Sequence, residues 1–86
     1  MEVNFKTEAI IDLNFWKRYG SQSKKDRITA LLQSITKTPF QGLGKPEPLK
    51  YNLSGKWSRR IDRLNRIVYS VENNIVTVYS LRDHYE

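Results

Sequence analysis

Arg66-Ile67-Val68-Tyr69-Ser70-Val71-Glu72-Asn73-Asn74-Ile75-Val76-Thr77-Val78-Tyr79-Ser80-Leu81 is the stretch on which the fold turns. β-Branched and aromatic side chains crowd it, and these suit a pleated, half-buried surface. Asn73-Asn74 interrupts the run, and asparagine tolerates the left-handed backbone that a two-residue hairpin turn requires. Arg66–Glu72 and Ile75–Leu81 are therefore expected to pair as antiparallel strands. Counting across the turn puts Ile67, Tyr69, Val71, Val76 and Val78 on one face, which a helix layer would cover. Ser70, Thr77 and Tyr79 fall on the other, with the apolar Val68 and Leu81.

One strand upstream, Trp57–Ile61 extends the sheet. If Asp62-Arg63-Leu64 is the connecting loop, Ile61 joins the apolar face and Arg60 lies directly opposite Arg66 on the open one. Opposed like charges destabilise a sheet, so a carboxylate or a bound phosphate is expected to compensate them. Two guanidiniums beside aromatic rings would suit a phosphodiester and a base. Either arginine alone also reads as an ordinary solvated strand residue. Leu49–Asn52, followed by a turn at Ser54-Gly55, is a further candidate strand. Phe40 through Pro48 is an aperiodic loop punctuated by glycine and proline.

Towards the N-terminus, Val3-Asn4-Phe5 alternates as a short strand. Thr7 can cap a first helix, with Glu8 favourably placed in its first turn. Its apolar stripe is Ala9, Leu13 and Trp16, and Gly20-Ser21 ends it. A second helix is expected from Ser23, whose spacing to Asp26 fits a capping box. Its stripe is Ile28, Leu31, Leu32 and Ile35, and Pro39 should stop it at Thr38. The order β-α-α-β-β-β-β describes an α+β fold, an N-terminal strand and two-helix hairpin packed on a mainly antiparallel sheet. Eighty-six residues allow one domain, 1–86.

The formal charge of +6, from 15 Lys+Arg against 9 Asp+Glu, points to a polyanionic partner, against the plainer reading of a solvated basic surface. There is no cysteine and a single histidine, so neither a thiolate nor a histidine-cluster metal site can be assembled, and no cofactor is called for. Glu2 stands where a signal peptide would be basic or apolar, and no run approaches the roughly 20 apolar residues of a membrane span. A cytoplasmic protein is expected, with no membrane partner. Lys24, Lys25 and Arg27 open the second helix, where they are either simply solvated or able to touch RNA phosphates. Trp57 reads as core, and Trp16 as core or a dimer contact.

Strict alternation would turn Tyr85 towards the arginine face and His84 towards the helices. Both can reach one site only if the strand ends or bulges near Asp83. By position alone the pair also reads as a frayed chain end.

Thr38-Pro39-Phe40, Gly42, Gly44-Lys45-Pro46-Glu47-Pro48-Leu49-Lys50, Asn52-Leu53-Ser54-Gly55, Trp57-Ser58-Arg59-Arg60-Ile61, Arg66-Ile67-Val68-Tyr69 and His84-Tyr85 together closely resemble the YoeB/Txe branch of the RelE/ParE toxin superfamily. The resemblance is specific over residues 38–85; upstream it is one of pattern. It implies a RelE-like, microbial-ribonuclease-like fold and a toxin of a type II toxin–antitoxin system. Such toxins enter the 70S ribosomal A site and cut mRNA. The implied partners are a YefM/Axe-like antitoxin, operator DNA only in complex with that antitoxin, and a second copy in a homodimer. The family's catalytic positions fall on Glu47, Arg66, His84 and Tyr85, and its phosphate-binding positions on Lys50 and Arg60, to which the neighbouring Arg59 is added. Glu86 extends the chain beyond the usual terminal tyrosine.

RNA can be cleaved by its own 2′-hydroxyl, which needs a base, an acid and cations for the phosphorane. A free carboxylate, with a pKa of about 4.3, is ready as base at neutral pH, whereas imidazole at about 6.5 needs neighbouring anions to stay protonated. Glu47 is thus expected as general base and His84 as general acid. Arg66 would stabilise the phosphorane, with Lys50 and Arg60 on phosphates and Tyr85 on a base. Glu47 between its prolines also reads as a loop carboxylate paired with Lys45 or Lys50. Two other functions compete: a ParE-like inhibitor of a protein target such as DNA gyrase, and a non-catalytic nucleic-acid module. Neither needs an acid–base pair.

Overall fold

The structure, a computed structural model, describes residues 1–83; His84, Tyr85 and Glu86 lie outside the described residues. Along the chain run β1 (Glu2–Phe5), α1 (Thr7–Tyr19), α2 (Gln22–Lys37), β2 (Glu47–Pro48), a 3₁₀ turn (Tyr51–Leu53), β3 (Trp57–Arg60), β4 (Arg66–Glu72) and β5 (Ile75–Ser80). They form a five-stranded sheet in the order β1-β5-β4-β3-β2. Three of its pairings are antiparallel, and β1 lies parallel to β5. The two helices form the crossover that a parallel pairing requires. The expected α+β architecture is what is found.

The β4–β5 hairpin forms as the sequence implies. Asn73 and Asn74 adopt φ of 52° and 64°, the two left-handed residues of a type I′ turn, and Glu72 faces Ile75. Ile67, Tyr69, Val76 and Val78 are completely buried, and they pack with Ala9, Trp16, Ile28, Leu31 and Ile35 of the helices.

Four local expectations are corrected. Thr7 begins α1 instead of capping it, Lys6 holding the cap position without a side-chain bond. Ser21, not Ser23, caps α2: its extended backbone lets Oγ accept the Lys24 amide at 3.2 Å, and Asp26 is engaged by Gln22 instead. Leu49–Asn52 is not a strand, because Tyr51 turns left-handed at φ 59° and curls the chain into the 3₁₀ turn. The short edge strand lies earlier, at Glu47–Pro48, where an outer edge accommodates proline.

Leu81 is the fourth. Tyr69 faces Val78 but Val68 faces Ser80, so Tyr79 is an extra residue in β5 and the alternation reverses after it. Leu81 thereby enters the helix-side core, completely buried, instead of lying on the open face. The break expected near Asp83 concerned how His84 and Tyr85 reach one site, which lies outside the described residues; within them β5 bulges at Tyr79 and ends at Ser80.

Candidate active site

The open face of the sheet collects the expected residues in rows. Arg60 pairs with Arg66 across β3 and β4, as the three-residue loop implied. In the next row Glu47, Ser58, Val68 and Ser80 face one another in turn across four strands. Arg66 leans from its own row into this one, its Nη1 donating to Glu47 Oε1 at 3.0 Å and to Ser58 Oγ at 3.2 Å. Glu47 therefore takes Arg66 as its partner, not the loop lysines. The two opposed arginines have one carboxylate between them: among the described residues Arg66 is ion-paired and Arg60 is not. The Arg60 side chain is exposed, and its backbone is held from both sides, its amide on Gly44 O and its carbonyl by Arg27 Nη2. Lys50 is exposed where the chain leaves β2 for the 3₁₀ turn.

Arg59 is the correction at this site. One step from Arg60, it points to the opposite face and is completely buried. Its Nη1 bonds Ser34 Oγ at 2.6 Å and Leu43 O at 2.9 Å; Nη2 bonds Gln41 O at 3.0 Å and also Thr38 O; Nε bonds Tyr69 Oη at 3.2 Å. A guanidinium has five N–H groups, and all five are engaged, leaving none for a phosphate. The charge rests at the C-terminal end of α2, where the helix dipole and the freed carbonyls favour a cation. Arg59 is a staple for the 38–44 loop, the segment that leads into Glu47. Gly44 permits the close approach: at φ 86°, a Cβ there would sit 2.6 Å from Leu31 Cδ2. The Tyr69 hydroxyl completes the staple by donating to Pro39 O. Burial raises the pKa of this phenol above its ordinary 10.0, against the lowering effect of the neighbouring Arg59.

Sequence reasoning missed a second device. Asp12 and Trp16, one turn apart on the buried face of α1, grip both peptide groups of Leu81. Asp12 Oδ2 accepts the Leu81 amide at 2.8 Å, and Trp16 Nε1 donates to the Leu81 carbonyl at 2.9 Å. The next residue, Arg82, lies 3.6 Å over the Phe15 ring. The segment entering the His84-Tyr85 pair is therefore anchored to α1. The expected roles of His84 and Tyr85 themselves lie outside the described residues. The signal for Asp12 was present in the sequence: it interrupts the apolar stripe Ala9, Leu13, Trp16 with an acid.

At the far end of the β3–β4 loop, burial of Asp62 works to raise its pKa, but the Asn65 and Leu64 amides, Lys24 and the Asn65 side chain outweigh it. The carboxyl is held below its ordinary 3.8. Its ion pair with Lys24, at 3.2 Å, ties the start of α2 to this loop. Among the described residues no group of three His, Asp or Glu side chains is placed to hold a metal ion.

A basic, open sheet face carrying a paired carboxylate and guanidinium offers cations to a phosphodiester and a carboxylate base to a neighbouring hydroxyl. Comparison with known proteins identifies the lineage: residues 5–85 match the model of the YoeB-like toxin of bacterial type II toxin–antitoxin systems. The chain belongs to that family. The toxin RelK of Mycobacterium tuberculosis is 46% identical over 83 residues, covering 96% of each chain. A YoeB/ParE toxin from Agrobacterium tumefaciens superposes with a TM-score of 0.92 at 38% identity, over 99% of this chain and 100% of that one. The YoeB toxin of Staphylococcus aureus, solved in complex with YefM, superposes at 0.88 and 35% identity over 99% and 98% of the two chains. The same toxin solved as a dimer gives 0.87 over the same shares.

Proposed function

We propose that this family member is a ribosome-dependent endoribonuclease that cuts mRNA in the A site by metal-independent attack of the RNA 2′-hydroxyl. The observation that carries the reading is the Glu47–Arg66 pair at 3.0 Å on an open sheet face, directly opposite Arg60, which has no ion pair among the described residues. A substrate phosphate entering between the guanidiniums relieves their repulsion and releases Glu47 from Arg66. Glu47 then takes the 2′ proton, Arg66 bears the phosphorane charge, and Lys50 and Arg60 hold flanking phosphates. His84 protonates the leaving 5′ oxygen and Tyr85 stacks on a base. Arg59 has no direct part.

Partners follow from the family. The S. aureus relative is solved with YefM and as a dimer, and we infer a YefM-like antitoxin and a homodimer here. Ile10, Ile11 and Tyr19, exposed on α1, offer apolar surface to such partners. The ribosome, its message, operator DNA in complex with the antitoxin, and a cytoplasmic location complete the proposal. No helix among the described residues is long and apolar enough to cross a membrane.

Adding the protein to a translation mixture and mapping mRNA 5′ ends by primer extension tests the reading. Codon-linked cuts should appear, and His84→Gln or Arg66→Ala should lower their rate by about 10²-fold or more. Intact message with arrested DNA supercoiling would replace the nuclease by a gyrase inhibitor. Near-full cutting by His84→Gln would remove the acid assignment.

A further inference from the structure

One cluster on the open face is not used by this mechanism. Tyr79 is the extra residue of the β5 bulge, and its ring lies half-buried over β4. Its hydroxyl meets Ser70 Oγ at 3.0 Å, which fixes the ring in place. Lys56, just before β3, sets its ammonium 4.3 Å from the ring centroid. Ser70 is two residues along β4 from Val68, so this cluster is one row beyond the Glu47/Ser58/Val68/Ser80 row. Rows on one face of a strand are about 7 Å apart.

We propose that Tyr79 and Lys56 form a nucleobase-stacking subsite for the nucleotide next to the scissile phosphate. Aromatic rings grip single-stranded RNA by stacking, which every base can do. A half-exposed cation over a ring is weakly held, so a base can replace the ammonium, and the flexible lysine then turns to that nucleotide's phosphate. Without RNA, Lys56 shields the ring from water. The Ser70 bond prevents the ring from following the lysine. Arg66 leans into the Glu47 row, so the spacing of one row lets a single nucleotide touch both Tyr79 and the Arg66 guanidinium, while Arg60 lies a further row away. The bulge itself makes this possible: without the extra residue, the side chain at this position would be bound to the cross-strand register. A tyrosine that only fills a strand, with a lysine stem lying along it, would make no difference to RNA.

The inference rests on the nuclease reading, and the test separates the two. Steady-state cleavage of ribosome-bound mRNA is measured for the wild type, Tyr79→Leu, Tyr79→Trp and Lys56→Met. Binding of a short 2′-O-methyl oligoribonucleotide, which cannot be cut, is measured in parallel by fluorescence anisotropy. The expected result is a rise of about ten-fold in KM and in the oligonucleotide Kd for Tyr79→Leu, with kcat within about two-fold. Tyr79→Trp lowers KM and Kd by about two-fold or more through its larger stacking face, and Lys56→Met raises Kd and flattens its salt dependence. Should Tyr79→Leu fail to fold, Tyr79→Trp and Lys56→Met decide alone. Unchanged KM and Kd in every folded variant overturn the subsite while leaving the nuclease reading standing. Absence of cutting by the wild type removes the nuclease reading instead.

Discussion

Arg59 and Arg60 are adjacent in sequence and opposite in every physical respect. Arg59 is completely buried under the helices, with five hydrogen bonds to a serine, a tyrosine and three loop carbonyls. Arg60 stands exposed on the open face, across from a like charge. The strand's two-residue period alone separates them. A fixed cation on one face holds the loop that presents Glu47, and a solvated cation on the other remains available to a polyanion. The same residue type is architecture on one side of the sheet and, in the proposed function, binding surface on the other.

The comparison breaks most readily at Arg59. Arg59→Met removes the charge, keeps the stem volume, leaves the Leu43 carbonyl without its donor, and takes one of two donors from each of the Thr38 and Gln41 carbonyls. The orphaned carbonyl costs about 1–3 kcal/mol and each of the four other lost hydrogen bonds about 0.5–1.5 kcal/mol, so a loss of about 3–5 kcal/mol in urea unfolding is expected. A loss below about 1 kcal/mol would mean that the loop does not depend on the staple.

A smaller effect is expected from Tyr69→Phe, which removes one acceptor from Arg59 and the donor to Pro39 O, at about 1–3 kcal/mol near neutral pH. Here pH sharpens the contrast. The folded phenol has a raised pKa, so its contribution is complete below the ordinary value of 10.0 and lost as pH rises through the folded one. Wild-type stability should therefore fall more steeply than that of Tyr69→Phe as pH rises beyond 10.0. Parallel unfolding midpoints above that pH would contradict the shift.

Arg60→Ala should be the mildest in stability, within about 0.5 kcal/mol, since an exposed strand arginine carries little packing. Its effect belongs to RNA. The slope of log affinity against log salt for a single-stranded oligonucleotide should fall by about 0.7, the share of one released phosphate contact. An unchanged slope would place Arg60 outside the binding surface.

Much of this was legible in the sequence. Asn73-Asn74 fixed the hairpin because only a left-handed pair closes a two-residue turn. The facing of Arg60 and Arg66 followed from the length of one loop. Arg59 was misjudged, although alternation already placed it beside Ile61 on the covered face. A charge at core parity signals a buried staple when the adjoining loop has carbonyls to satisfy. Asp12 gave the same kind of signal within a helical stripe. The bulge at Tyr79 was not legible, since it is made by how β5 settles against β4 and the helices, and no glycine marks it. Nor was the edge strand at Glu47–Pro48, whose prolines locally read as loop. Arg60 and Arg66 lie on the open face where alternation placed them, and Glu47, read from the sequence as a loop carboxylate, joins them there from the edge strand.

The parallel seam between β1 and β5 has a kinetic consequence. Glu2 pairs with Ile75 and Phe5 with Val78, joining segments separated by most of the described chain. β5 also pairs with β4, so it is the bridge between β1 and the rest of the sheet. Loop-closure entropy must be met before these distant contacts stabilise anything, which makes such a seam slow compared with the β4–β5 hairpin. The local hairpin and the two helices can form early, but β1 has no strand to join until residues 75–78 are in place. Because α1 follows β1 directly and its Asp12 and Trp16 grip Leu81, closing that seam and seating the segment beyond β5 belong to the same late event.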